Sequence, residues 1–320
     1  MKFIQIIFLI LFIISFQPTN AQYITYETKN NDSYDENLFM NVRLLDIDLG
    51  FPVLSFGGGM EMDFFLNNSI SIEAGVRFSY YDMKRGLIKG TLDEENTNKL
   101  NRFFEMRAGG RFHFSDKMGT KKMKAIVSVN SNGYTTTTNY IPMMVPCRTI
   151  FALHYGVQYY TDAVKGKRGP AIPGQLSVGP SVIATDGTEF SEWNSATNIN
   201  VLLVYGGLSF VKIMKTSMKA GSDVWTFNWF RNSYLDIMFA PYINVQNVTY
   251  KNNSYNVQGN GSKGFEKNPF GIRYGISSMS KKKMSYGYEI GWLPGLQNGF
   301  FTRASFGFPI QTSTKNKKAH

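Results

Sequence analysis

The sequence predicts an all-β chain closed into an antiparallel up-and-down transmembrane β-barrel of about 12 strands, within a range of roughly 10 to 14. Three observations point there: an N-terminal export signal, a period-two alternation whose polar face carries Arg, Glu and Gly, and connections that alternate between short and long. The chain opens MKFIQIIFLILFIISFQPTNAQ, with Lys2 ahead of an apolar run from Phe3 to Ile14, then Pro18 and the small-residue segment Thr19-Asn20-Ala21. This is the pattern of a secretory signal peptide, and Thr-x-Ala suits cleavage after Ala21. The apolar run falls short of the ~20 residues that a membrane-spanning helix needs. The expected organisation is a signal peptide over 1–21, a periplasmic N-terminal segment over 22–38, the barrel over 39–310 and a basic tail over 311–320.

Alternation is legible segment by segment. In SISIEAGVRFSYYD (69–82), Ile70, Ile72, Ala74, Val76, Phe78 and Tyr80 share one face, and Ser71, Glu73, Gly75, Arg77 and Ser79 share the other. Residues 102–114 set Phe104, Met106, Ala108, Phe112 and Phe114 against Glu105, Arg107, Gly109, Arg111 and His113. Toward the C-terminus Ile272, Tyr274 and Ile276 oppose Arg273 and Gly275, Tyr288 and Ile290 oppose Glu289, and Ala304 and Phe306 oppose Arg303. A soluble sandwich also alternates, but its polar face is solvent-exposed and rich in Lys, Thr and Ser. Arg and Glu interleaved with Gly suit an enclosed interior in which charges find partners and large neighbours need room. Aromatic pairs near strand ends, such as Tyr80-Tyr81, Tyr159-Tyr160 and Phe300-Phe301, suit interfacial girdles.

The expected strands cover 39–50, 53–65, 69–82, 102–115, 121–130, 148–161, 174–185, 198–214, 233–249, 269–279, 284–293 and 299–310. With the N-terminus in the periplasm, the connections 67–68, 116–120 and 280–283 are short and inside, and 83–101, 131–147 and 250–268 are long and outside. Two connections break this rule, 162–173 and the aromatic stretch 215–232, both long on the expected inner side.

The formal charge of +11 comes largely from loops and tails such as Lys281-Lys282-Lys283 and Lys315, Lys317 and Lys318. No recognition helix or aromatic-lined basic face accompanies it, which argues against nucleic acid as a partner. Cys147 is the single cysteine, so no internal disulfide is expected. No Cys/His/Asp cluster has metal-ligand spacing, and Gly57-Gly58-Gly59 lacks the Lys-Ser/Thr and helix of a phosphate loop, so neither a metal nor a cofactor is expected.

The signal peptide ending in Ala-Gln, the motif YGGLSF (205–210), the strand YLDIMFAPYINV (234–245) and the closing FFTRASFGFPI (300–310) together resemble the outer-membrane β-barrel proteins common in Bacteroidota. The resemblance spans nearly the whole mature chain and rests on style, with no single diagnostic motif. It implies the bacterial outer membrane as location and a barrel as fold, while such proteins differ widely in function. One departure is the polar tail after Phe308, which leaves the terminal aromatic internal.

The most specific feature is a set of expected inward charges: Glu61, Asp63, Glu73, Arg77, Glu105, Arg107, Arg111, Asp236, Arg273, Glu289 and Arg303. They read either as the lining of an anion-attracting pore or as an internal ion-pair network that fills the lumen. The second is favoured because barrels near eight strands are filled by side chains and only much larger ones leave an aqueous channel. The expected function is thus a non-enzymatic structural or interaction component of the envelope, or a narrow passive channel with a charge-paired lumen. Outer-membrane lipid and other envelope proteins are the expected partners, with small solutes if the lumen is open. The alternative is a rim-site hydrolase acting on lipid or peptide, built on His113 or His154 with neighbours such as Ser115 and Asp116.

Overall fold

The computed structural model describes residues 26–29, 38–50, 53–82, 89, 96–131, 136–164, 182–190, 195–220, 223–257, 265, 267–280, 284–296 and 299–310. The signal peptide and the basic tail expected at the two ends lie outside these residues. Ten long strands make the wall: β1 (Leu38–Gly50), β2 (Val53–Phe65), β3 (Ile70–Asp82), β4 (Phe104–Ser131), β5 (Thr136–Val164), β6 (Thr197–Ala220), β7 (Asp223–Val245), β8 (Phe270–Ser280), β9 (Ser285–Trp292) and β10 (Phe300–Ile310). Each pairs antiparallel with the next in the chain, and β10 returns to β1 through Phe301↔Gly50 to Ile310↔Met40, so the described sheet closes as an up-and-down barrel. Closure gives each of the ten strands a hydrogen-bonded neighbour on both sides over the barrel itself.

Ten strands replace the twelve expected, at the low end of the range, and the differences have physical causes. The segments expected as separate strands 102–115 and 121–130 are one strand, β4. A bulge between His113 and Ser115 shifts the register against β5, so the side-chain parity flips and mimics a break. The expected outer loop 131–147 is mostly the start of β5. Of the expected strand 174–185, residues 174–181 lie outside the described residues, and Val182–Ile183 pairs with Glu189–Phe190 in a small hairpin apart from the wall. The expected connection 215–232 is strand: β6 runs on to Ala220 and β7 starts at Asp223, with Trp225↔Met218 and Trp229↔Met214 in register. Residues Tyr26–Lys29, placed by sequence in a periplasmic segment, pair with the same end of β6.

This recount removes both exceptions to loop parity. The connections 66–69, 132–135, 221–222 and 281–284 now lie at one end and are short. Those at the other end include 83–103, 165–196 and 246–269, so the segment 162–173 falls on the long-connection side.

The wall is apolar outside and charged inside. Ile237 on the outer face is 68% exposed, whereas Arg111 and Arg273 on the inner face are 0% and 1% exposed. Cross-strand rows on the outside of β5 to β8 are continuous: Phe151–Phe210–Ser233–Ile276, then Leu153–Leu208–Leu235–Tyr274, then Tyr155–Gly206–Ile237–Ile272. The apolar rows continue to Tyr159–Leu202–Tyr242 and give way to Thr161–Asn200–Asn244. From Phe151 to Tyr159 is about 27 Å along a strand, or about 20 Å of height at the usual tilt, close to the ~25 Å apolar band of a membrane barrel.

Apolar clusters close the interior at both ends. At the long-connection end Tyr160, Leu203, Tyr205 and Met238 of the wall pack with Val182, Phe190, Val248, Val257 and Phe265 of the connections. Hydrogen bonds lock this cap, among them Tyr160 to the carbonyl of Pro294 and Asn198 to the carbonyl of Lys99 (2.9 Å). At the tight-turn end Phe39, Phe65 and Phe230 meet ring to ring, with Phe39 stacked on Phe230 at 4.6 Å between centroids, amid Ile150, Val211, Ile213 and Met279. Phe230→Ala opens a hole in this plug and is expected to cost about 3–5 kcal/mol, read as a lower midpoint in urea unfolding of the refolded barrel.

Candidate functional site

The space between the two apolar closures is filled with charge. Its residues come from every second position of β1 to β10, since the pleat sends alternate side chains inward. All eleven residues singled out by sequence stand on the inner wall, and each reaches an oppositely charged partner.

One cluster centres on Glu289 and Glu61. Glu289 accepts from Arg107 (3.0 Å), Arg303 (2.7 Å) and the hydroxyl of Tyr234, and Glu61 binds both Arg43 and Arg107. Arg303 extends the cluster to Asp48 and Glu105, each at 3.2 Å. Arg77 joins Asp46 (2.9 Å) and Asp48 (3.3 Å), and Phe103 lies against both Arg77 and Arg303.

The second cluster centres on His154. Its Nδ1 is 2.7 Å from Asp236 and its Nε2 is 2.7 Å from Glu73. Both ring nitrogens are therefore engaged by carboxylates, and the imidazole bridges the two acids. Arg273 binds Asp236 (2.7 Å) and Gln158 (3.0 Å). Arg111 binds Asp63 and Glu73, both at 2.5 Å, and Tyr205 donates to Glu73 at 2.9 Å. The tyrosines fit because glycines face them: a Cβ at Gly156 would collide with the Tyr205 hydroxyl, and one at Gly275 with the Tyr234 ring.

Several members escaped the sequence reading. Arg43, Asp46 and Asp48 do not share one parity, and the bulge between Arg43 and Asp46 is what turns all three inward. Tyr205 was hidden because both faces of its strand are apolar, as in Val201, Leu202, Leu203 and Val204, whereas Tyr234 shares the parity of the inward Asp236 but carries a ring that suits the outer face as well. The Gly206-Gly207 pair beside Tyr205 was the available signal of a crowded wall.

The histidines do not form the sites that sequence proximity suggested. Asp116 is taken by Arg148 (2.5 Å), and His113 pairs with neither Ser115 nor Asp116. Its Nδ1 donates to the carbonyl of Asn68 (2.9 Å), and its Nε2 lies 3.1 Å from the hydroxyl of Ser71. A serine beside an oriented imidazole is the core of nucleophilic catalysis, but Ser71 is 0% exposed and no substrate carbonyl reaches its Oγ. His154 has no ring nitrogen left to act as a base. Among the described residues no group of His, Cys, Asp and Glu is arranged to hold a metal ion.

A cavity inside the barrel between Arg43, Glu61, Arg107, Asn232 and Tyr234 measures about 20 Å³, room for roughly one water. Arg111→Met strands Asp63 and part of Glu73 in the interior. It is expected to lower stability by about 3–5 kcal/mol, measured as a shift in urea unfolding of the refolded protein.

No family model matches the chain, and no curated protein matches it. Among solved structures, a loop L8 deletion mutant of OmpT, an outer membrane protein of Vibrio cholerae, aligns over 89% of this chain and 99% of its own at 11% identity and a TM-score of 0.18. The in-vitro folded trimer form of OmpT from the same organism aligns over 89% of this chain and 100% of its own at 9% identity and a TM-score of 0.17. Likeness at that level carries no weight by itself; the up-and-down closure, apolar outer face and charged interior are what make this fold resemble bacterial outer-membrane barrels.

Proposed function

We propose that this chain is a non-enzymatic outer-membrane barrel with a filled lumen, acting as a structural and interaction component of the envelope. Its signal peptide would be removed after Ala21, the tight-turn end would face the periplasm and the capped end the exterior. The observation that carries this reading is the layering of the interior: a charge-paired middle between an aromatic plug around Phe230 and an apolar cap around Phe190. A hydrated ion would have to open a plug and displace an arginine from its carboxylates, and each such disruption costs several kcal/mol.

The narrow-channel reading loses ground on the same observation. The hydrolase reading has one supporting contact, Ser71 to His113, and lacks access to it. Partners on this reading are the membrane lipid around the outer rows and envelope proteins that meet the loops or the strand extensions.

Reconstitution in a planar bilayer tests the proposal. Mature protein whose insertion is verified by protease protection of the strands is expected to give no discrete conductance steps. Regular steps whose size changes in Arg107→Gln would identify an open lumen and contradict the proposal.

A further inference from the structure

Just below the apolar rows, on the tight-turn side, the outer face carries the cross-strand row Lys117–Thr149–Lys212–Arg231. Thr149 stands between the buried Arg148 and Ile150, Lys212 between Val211 and Ile213, and Arg231 between Phe230 and Asn232. The pleat therefore turns all three outward, away from the lumen. Lys212 and Arg231 are direct register partners on adjacent strands. Like charges in that position repel and destabilise a sheet. Neither they nor Lys117 has a carboxylate partner among the described residues. The sequence supplies none nearby on β4 or β5, since no Asp or Glu occurs between Asp116 and Asp162, and Asp116 is turned inward to Arg148.

Three further contacts surround this row. The Lys212 ammonium lies 4.8 Å from the ring centre of Phe210, so its stem lies along the apolar row while its charge marks the lower edge. Trp229, one row further down, packs against the buried cluster of Met143, Val145, Cys147 and Met214, donates its indole N–H to Ser278 at 2.6 Å beside Arg231, and lies under Lys121 at 5.3 Å. Lys and Arg at the edge of an apolar band mark a membrane–water interface. That is the depth at which the inner leaflet holds its phosphodiesters.

We propose that Lys117, Lys212 and Arg231 form a headgroup site for an anionic glycerophospholipid of the inner leaflet, whose phosphate sits between Lys212 and Arg231 and relieves their repulsion. The site rests on the membrane reading above. Arg231 supplies a planar fork for two phosphate oxygens, and Lys212 and Lys117 supply point charges. The acyl chains lie against Phe151, Phe210, Leu208 and Leu235 in the rows above.

The test uses mature protein in phosphatidylcholine vesicles containing spin-labelled phosphatidylglycerol or spin-labelled phosphatidylcholine, with relative association read from the motionally restricted lipid fraction. Wild type is expected to prefer phosphatidylglycerol. K212Q/R231Q is expected to lose that preference by roughly fivefold per cation removed, and K267Q, at the opposite end, to keep it. Stability supplies a second reading. Adding phosphatidylglycerol should raise the urea midpoint of wild type and not of K212Q/R231Q, while in pure phosphatidylcholine the variant should be at least as stable as wild type. Equal association of the two lipids with wild type, or a preference unchanged in K212Q/R231Q, overturns the site and leaves the membrane reading standing. Failure of wild type to insert overturns both.

Discussion

The closed ladder forces charge to be paired inside the barrel, and most of the structure answers to that constraint. Once β10 meets β1, alternate side chains of ten strands converge on a space too small for water to solvate them. A guanidinium there is tolerable only with a carboxylate in contact. Glu289 illustrates the result: it meets Arg107, Arg303 and the Tyr234 hydroxyl, so removal of any one partner leaves the others bound to an under-compensated charge. Such a network adds little stability over an apolar core. It does tie β1 to β4, β7, β9 and β10 at defined heights, which suits a barrel whose outer face is too uniform in its apolar rows to specify register.

The same constraint explains the bulges and the closures. Strict alternation cannot place Arg43, Asp46 and Asp48 on one face, and the irregularity between Arg43 and Asp46 does so. The bulge after His113 turns Asp116 toward Arg148, whose guanidinium also lies over Phe65 of the lower plug at 5.5 Å. The plugs keep water from entering at the ends and dissolving the ion pairs between them. Charge in the middle and apolar contacts at either end are therefore parts of one arrangement.

Much of the wall was legible in the sequence because period-two alternation is a local signal. Residues 69–82 show both faces of β3 without reference to any neighbour, and the inward set from Glu61 to Arg303 follows from the same parity. What escaped depended on partners distant in the chain. The continuity of β4 through Gly119 is set by its ladder with β5, and the aromatic stretch around Trp229 becomes strand because β6 and β8 flank it. Tyr205 points inward from a strand apolar on both faces, so no local contrast revealed it. The contact between His113 and Ser71 spans 42 positions in the chain, beyond what proximity to Ser115 and Asp116 suggests.

The sealed interior is the centre of this account, and water access to the lumen tests it most directly. Ser305 lines the cavity beside Arg303, and Ser305→Cys in a Cys147→Ser background places one thiol there. Reaction of the reconstituted barrel with a small charged thiosulfonate should proceed no faster than global unfolding, and should accelerate when Phe230→Ala opens the plug. Rapid labelling of the intact, plugged barrel would contradict the account.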